Sequence, residues 1–276
     1  MAWRLQVLPM HEAMITSQSA FAGLALTSVL AVLTWLVSLM RSDVSLVDRM
    51  WPAFIASPAL VYLALAPSIS TRGLGMIALC VTWALRLGLF ITVRNWGHGE
   101  DRRYRAIRAR NQPNFPVKSL YLVFALQAFL AWVVSAPLFI GVTANHPLGW
   151  LDVAGFGLAA FGLIFEAVGD AQMARFRAGA AQHGQVMDRG LWRYTRHPNY
   201  FGEACFWWGL WLTAVAGAGW NGAWSGISPL LMTILLLRVS GVRLLEQDIA
   251  ERRPAYREYI ARTNAFVPRC PRGRMP

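Results

Sequence analysis

Charge is scarce in this sequence. Only 14% of its 276 residues are charged, against about a quarter in a soluble domain. Acid is scarcer than base, with 14 Asp and Glu against 26 Lys and Arg, and Lys118 is the only lysine. Cysteine is nearly absent. Cys80, Cys205 and Cys270 lie far apart, without the spacing of a zinc site or a disulfide framework, so neither is expected. The first twenty residues contain His11 and Glu12. They lack a cationic start followed by an apolar run and a small-residue cleavage site, so no signal peptide is expected. No internal repeat or low-complexity stretch is present. "GFGLAA", 155–160, matches a dinucleotide-binding pattern but lies inside an apolar run. It reads as small residues for close helix packing.

Apolar residues fill the space that charge leaves. They make up 56% of the chain, and there are thirteen tryptophans, a residue that collects at bilayer interfaces. Seven apolar segments fall near 20–40, 50–66, 73–93, 119–140, 149–172, 200–217 and 227–245. A bilayer core of about 30 Å takes roughly 20 residues per helix. The expected fold is all-α: one polytopic integral membrane domain of about seven transmembrane helices.

A net charge of +12 in a soluble protein would suggest nucleic acid. Its placement argues against that partner. Base gathers in every second connection: Arg41 and Arg49; Arg94, Arg102, Arg103, Arg105, Arg108, Arg110 and Lys118; then Arg175, Arg177, Arg189, Arg193 and Arg196. The tail adds Arg252, Arg253, Arg257, Arg262, Arg269, Arg272 and Arg274. The positive-inside rule puts these connections and the C-terminus in the cytoplasm and the N-terminus outside. The Arg-, Ala- and Trp-rich composition fits a bacterial inner membrane.

Charge inside a membrane segment is costly and points to function. Glu166 and Asp170 share one helical face at i, i+4. Arg86 is mid-segment and is read either as lining a polar pocket with them or as their ion-pair partner. Asp48 opens the second segment as an acid or as a helix N-cap. Arg243 and Glu246 end the seventh, in a site or snorkelling to the surface. The densest stretch is "RYTRHPNYFGE", 193–203. Pro198 disfavours helix at His197 and opens the next helix. A helix start flanked by Arg193 and Arg196 suits an anion. Asn199 and Glu203 stack on one face, offering an amide and a carboxylate to a polar ring or carboxamide. An interfacial belt explains Tyr194, Tyr200, Trp207 and Trp208 equally well, but not Glu203 one turn into an apolar helix.

"GLWRYTRHPNYFGE", 190–203, resembles the C-terminal signature of the steroid 5α-reductase superfamily. With "SLVDRMW", "RNWGHGEDRRYR", "EAVGDAQ" and "AYREYIARTNAFVPR", the chain most closely resembles the bacterial membrane proteins called steroid 5α-reductase C-terminal domain-like, DUF1295. The wider superfamily includes sterol reductases that use NADPH and isoprenylcysteine methyltransferases that use S-adenosylmethionine. The resemblance implies a cofactor site formed by about 166–276 and the cytoplasmic loops. It assigns Asn199 and Glu203 to the nicotinamide end, and Asp170 and Arg86 to the pocket. Arg193, Arg196 and His197 fall at the mouth, and Arg243, Glu246, Tyr256 and Tyr259 in the covering tail. Animal 5α-reductases carry a Gln-Glu pair in the second helix and a catalytic Tyr in the third. Here "DRMWP" and Trp83 stand at those places, so the proton donor falls to Asp48, Tyr194 or Tyr200. The leading expectation is an NADPH-dependent reductase of a C=C bond in a lipophilic, steroid- or isoprenoid-like substrate. A methyltransferase acting on a lipid or prenylated acceptor is the alternative. A non-enzymatic lipid-binding scaffold is the third reading.

Overall fold

The computed structural model describes residues 10–144, 146–179, 185–239, 241–246, 249 and 254–271, without the side chains of residues 10–16 and 244. Arg252, Arg253, Arg272 and Arg274 lie outside them. All regular structure among the described residues is helical, as the composition predicts. Five helical runs are long and apolar enough to cross a membrane. The chain divides into two compact units, Met1–Asn145 and His146–Pro276.

The first unit contains α1 (Met10–Arg41), α2 (Leu46–Leu65), α3 (Thr71–Arg94), the short polar α4 (Arg102–Arg110) and α5 (Phe115–Thr143). Four of the seven expected segments map onto α1, α2, α3 and α5. The 20-residue α2 carries Pro52 and Pro58 in its interior and is not among the five membrane-length runs. Such prolines are tolerated where neighbouring helices cover the freed backbone groups. Helix α3 starts at a Ser70 cap whose hydroxyl accepts from the Gly73 amide at 3.0 Å. Polar seams join the helices inside an apolar core that includes Phe54, Met76, Trp83 and Phe124. Thr27 meets Ser57 at 3.0 Å, and Tyr62 meets Ser135 at 3.0 Å.

The second unit is built on α6 (Trp150–Ala178) and α7 (Pro198–Ala218). Glycines repeat every seven residues on both, and the helices meet there antiparallel. Gly155 lies against Thr213 and Gly209, Gly162 against Gly202 and Phe206, and Gly169 against Pro198 and Asn199. A Cβ at Gly202 would strike the backbone of Gly162 and Glu166, and one at Gly209 that of Gly155 and Ala159. Small residues let membrane helices approach this closely, so "GFGLAA" does serve packing.

The expected sixth and seventh segments form one run, Pro198–Val239. At about 1.5 Å per residue it would be twice the bilayer core if straight. It is not straight. Gly219, at φ 61°, ends α7 in a backbone conformation that favours glycine. A 3₁₀ segment, Gly219–Gly226, leads into α8 (Ile227–Ile234), which continues as a π-turn over Leu235–Val239. Trp208 Nε1 donates to Thr233 Oγ1 at 3.2 Å, so the run doubles back as a hairpin. Arg243 and Glu246, expected at the end of the seventh helix, belong to a separate short α9 (Val242–Glu246). The break sits at Gly241, where a Cβ would run into the Leu236 carbonyl oxygen. The last helix is α10 (Ala255–Arg262).

Candidate functional site

In the second unit, the stretch 190–203 is where the chain ties itself together. Gly190–Arg193 forms a 3₁₀ turn fixed to the end of α6. Trp192 Nε1 donates to the Gly169 carbonyl at 3.0 Å, and the Leu191 amide donates to Gln172 Oε1 at 2.9 Å. Residues 194–196 then pair with the tail. The Arg196 amide donates to the Asn264 carbonyl at 2.9 Å, and the Arg269 amide donates to the Tyr194 carbonyl at 3.0 Å. The Thr195 hydroxyl lies 2.8 Å from the Phe266 carbonyl. Tyr259, fully buried, donates to the Trp192 carbonyl. Burial holds its phenol far above the usual range.

Arg196, His197 and Glu246 form the centre of this strap. Arg196 Nε and Nη2 each donate to Glu246 at 2.7 Å. Nη1 donates to the carbonyls of Ile260 and Thr263. His197 Nε2 lies 2.9 Å from Glu246 Oε1. Burial alone would raise the Glu246 pKa. The hydrogen bonds from His197 and Arg196, with the charge of Arg196, outweigh it and hold the carboxyl at about 2. An ionised carboxylate only accepts, so His197 Nε2 carries the proton in this contact. Its ring stacks on Tyr200, with centroids 5.3 Å apart and planes 4° from parallel. The Arg196 guanidinium is thus spent on Glu246 and on tail carbonyls.

Helix α7 opens at Pro198 with His197 as its cap residue, where the His-Pro step predicts it. Asn199 is half-buried in the first turn, and its Oδ1 is buried with no hydrogen-bond partner among the described residues. Glu203 lies one turn further and is buried, as are Glu166 and Asp170 on α6. Both α6 carboxylates therefore face the protein interior, as the cost of charge in lipid requires. Tyr194, Arg193 and Arg243 are exposed. Tyr256 is half-buried and packs edge-on against Tyr259 at 5.2 Å.

The first unit carries a second polar knot. Asp48 is the third residue of α2, which starts after Ser45, so it is not the cap. Its carboxylate turns instead to α4. Arg103 Nη2 donates to Asp48 Oδ2 at 2.7 Å, and the Tyr104 hydroxyl donates to Oδ1 at 2.6 Å. Gln127 of α5 donates to the same phenol oxygen at 3.2 Å. Burial first, and then the Asp48 charge, raise the Tyr104 pKa well above 10. Nearby, Arg108 clamps Glu100 through two contacts of 2.9 and 2.7 Å, and the Val44 amide adds a third. Arg86 is half-buried in α3. Sequence reasoning missed Tyr104 as a site residue. Its signal was its place in "RNWGHGEDRRYR", four residues before Arg108 on the same helix.

A family match covers residues 34–263. The chain belongs to the DUF1295 family. That family is described as one of unknown function, and a place in the wider steroid 5α-reductase superfamily is consistent with it. The chain is 25% identical over 279 residues to an uncharacterised protein of Schizosaccharomyces pombe, covering 90% of this chain and 79% of that one. No solved structure matches.

Proposed function

We propose that this DUF1295 protein is a membrane-embedded reductase that uses NADPH to saturate a C=C bond in a lipophilic substrate. The observation that carries the reading is Asn199 Oδ1, a buried acceptor without a protein donor among the described residues, in the first turn of a helix. A buried polar atom left unpaired costs about 1–3 kcal/mol, and a carboxamide N–H would satisfy it. Glu203, buried one turn on, adds an acceptor on the same face. These residues fit a nicotinamide end.

Exposed Arg193 and Arg243 offer charge to phosphates from the cytoplasmic side. Arg196 is a positioning residue in this reading: its fork holds Glu246 and the tail, and so sets the entry of α7. Bound NADPH would supply the hydride. The matching proton is assigned to the phenol of Tyr194 or Tyr200. The substrate would enter from lipid, where a steroid- or isoprenoid-like molecule partitions.

Calorimetry on detergent-purified protein with NADPH, NADH and S-adenosylmethionine tests the reading. The wild type should bind NADPH. Glu203→Ala should weaken it roughly 10- to 150-fold, the value of a charge-assisted hydrogen bond of about 1.5–3 kcal/mol. Asn199→Ala should cost roughly 2- to 12-fold. Equal binding by the wild type and both variants removes this face of α7 from the site. Binding of S-adenosylmethionine alone replaces the reductase with a methyltransferase.

A further inference from the structure

Helix α4 is split lengthwise by its own periodicity. At about 100° per residue, Arg103, Tyr104, Ile107 and Arg108 share one side, and all are buried or half-buried. The two arginines on that side are neutralised, Arg103 by Asp48 and Asp101, Arg108 by Glu100. The other side carries Arg102, Arg105, Ala106, Ala109 and Arg110, all exposed. It contains no carboxylate, and the alanines leave the arginine stems room to spread.

The surroundings of α4 indicate what such a face meets. With nine residues, it is only about 14 Å long and too polar to cross a bilayer. It follows an outward apolar stripe on α3, Leu85, Leu89 and Val93, which ends at Trp96, 72% exposed. It precedes exposed Val117 and Tyr121 on α5. The apolar faces on both sides of α4 therefore run out at this level of the fold. An exposed Trp at the end of such a stripe marks the headgroup zone.

We propose that the outer face of α4 is a docking surface for the phosphate headgroups of anionic phospholipids, with Arg105 and Arg110 as its principal contacts and Trp96 seated beside them. Guanidinium groups pair with phosphate oxygens through two parallel hydrogen bonds, and basic residues next to a membrane span attract anionic lipid. The surface is distinct from the strap of the second unit and does not depend on the reductase reading.

Native mass spectrometry of the detergent-purified full chain, titrated with phosphatidylglycerol or phosphatidylcholine, reads the proposal directly. The wild type should prefer phosphatidylglycerol. The double variant R105Q/R110Q should bind it roughly 10- to 30-fold more weakly, at about 1 kcal/mol per arginine. R41Q removes a single exposed arginine at the end of α1 and should cost at most about 5-fold. In unsubstituted protein, phosphatidylglycerol should slow phenylglyoxal modification of Arg105 and Arg110, and phosphatidylcholine should not. The proposal is overturned if the wild type shows no lipid preference, if R41Q costs as much as the double variant, or if inorganic pyrophosphate protects the two arginines as well as the lipid does.

Discussion

The two polar knots are built alike and fail differently. Each sets a carboxylate between a guanidinium and a ring, and each joins residues about fifty positions apart. In the first unit Asp48 binds Arg103 and the Tyr104 phenol. In the second, Glu246 binds Arg196 and the His197 imidazole. The difference lies in what remains when the carboxylate is lost. Arg103 is about a third exposed and keeps Asp101 at 3.0 Å. Arg196 is nearly buried, and among the described residues only backbone carbonyls remain to it. A pair with a second carboxylate and access to water tolerates loss. A single buried pair does not.

The largest break is therefore Glu246→Ala. Among the described residues it leaves the Arg196 charge buried without a counter-ion, a loss of about 3–5 kcal/mol, and it frees the tail strap. Unfolding of detergent-purified protein in sodium dodecyl sulfate should show it, and limited proteolysis should cut the tail first. A variant within 1 kcal/mol of wild type, on the order of an exposed pair, would remove the asymmetry. The pH dependence sharpens the same point. The Glu246 carboxyl is held at about 2, below its ordinary 4.5. Its contribution is present above about pH 4.5 and is lost as pH falls toward 2. Glu100 is also held low, since the bonds from Arg108 and the Val44 amide outweigh its burial, and it loses stability in acid too. The diagnostic is thus the difference between wild type and Glu246→Gln, which should have the flatter acid limb.

Asp48→Ala is expected to cost less, about 1.5–3 kcal/mol, the range for hydrogen bonds to a charged group. Arg103 falls back on Asp101, and Tyr104 keeps Gln127. A loss equal to that of Glu246→Ala, in the same unfolding measurement, would show that solvent access does not protect the first knot.

The sequence disclosed those features that local periodicity encodes. Apolar runs gave the helical class, and the carboxylates at 166, 170 and 203 were read as buried because charge in such runs demands cover. The small residues at 155–160 were read as packing, and His197-Pro198 as a helix start. The knots were not legible. Arg196 was read as a phosphate contact and Glu246 as a tail residue, because nothing local says that a residue fifty positions away supplies the counter-charge. Asp48 looked like a cap for the same reason: its partners Arg103 and Tyr104 lie beyond a whole further helix. The break at Gly241 was hidden inside an apolar segment, since only a close approach to the Leu236 carbonyl requires glycine there.

The smallest expected effect comes from Tyr104→Phe, and it separates the knots by the direction of pH at which they fail. Removing the hydroxyl takes one bond from Asp48, which keeps Arg103, and one acceptor from Gln127. The cost near neutral pH should be about 1–2 kcal/mol. The phenol titrates well above 10, through burial and then the neighbouring Asp48 charge. The folded state therefore favours the protonated form. The associated stability is present below about pH 10 and lost as pH rises beyond it. The wild type should lose stability in alkali more steeply than Tyr104→Phe. Glu246→Gln should instead flatten the acid limb. If Tyr104→Phe loses stability in alkali as steeply as the wild type, the phenol is not the group that fails there, and the first knot rests on the Arg103–Asp48 ion pair alone.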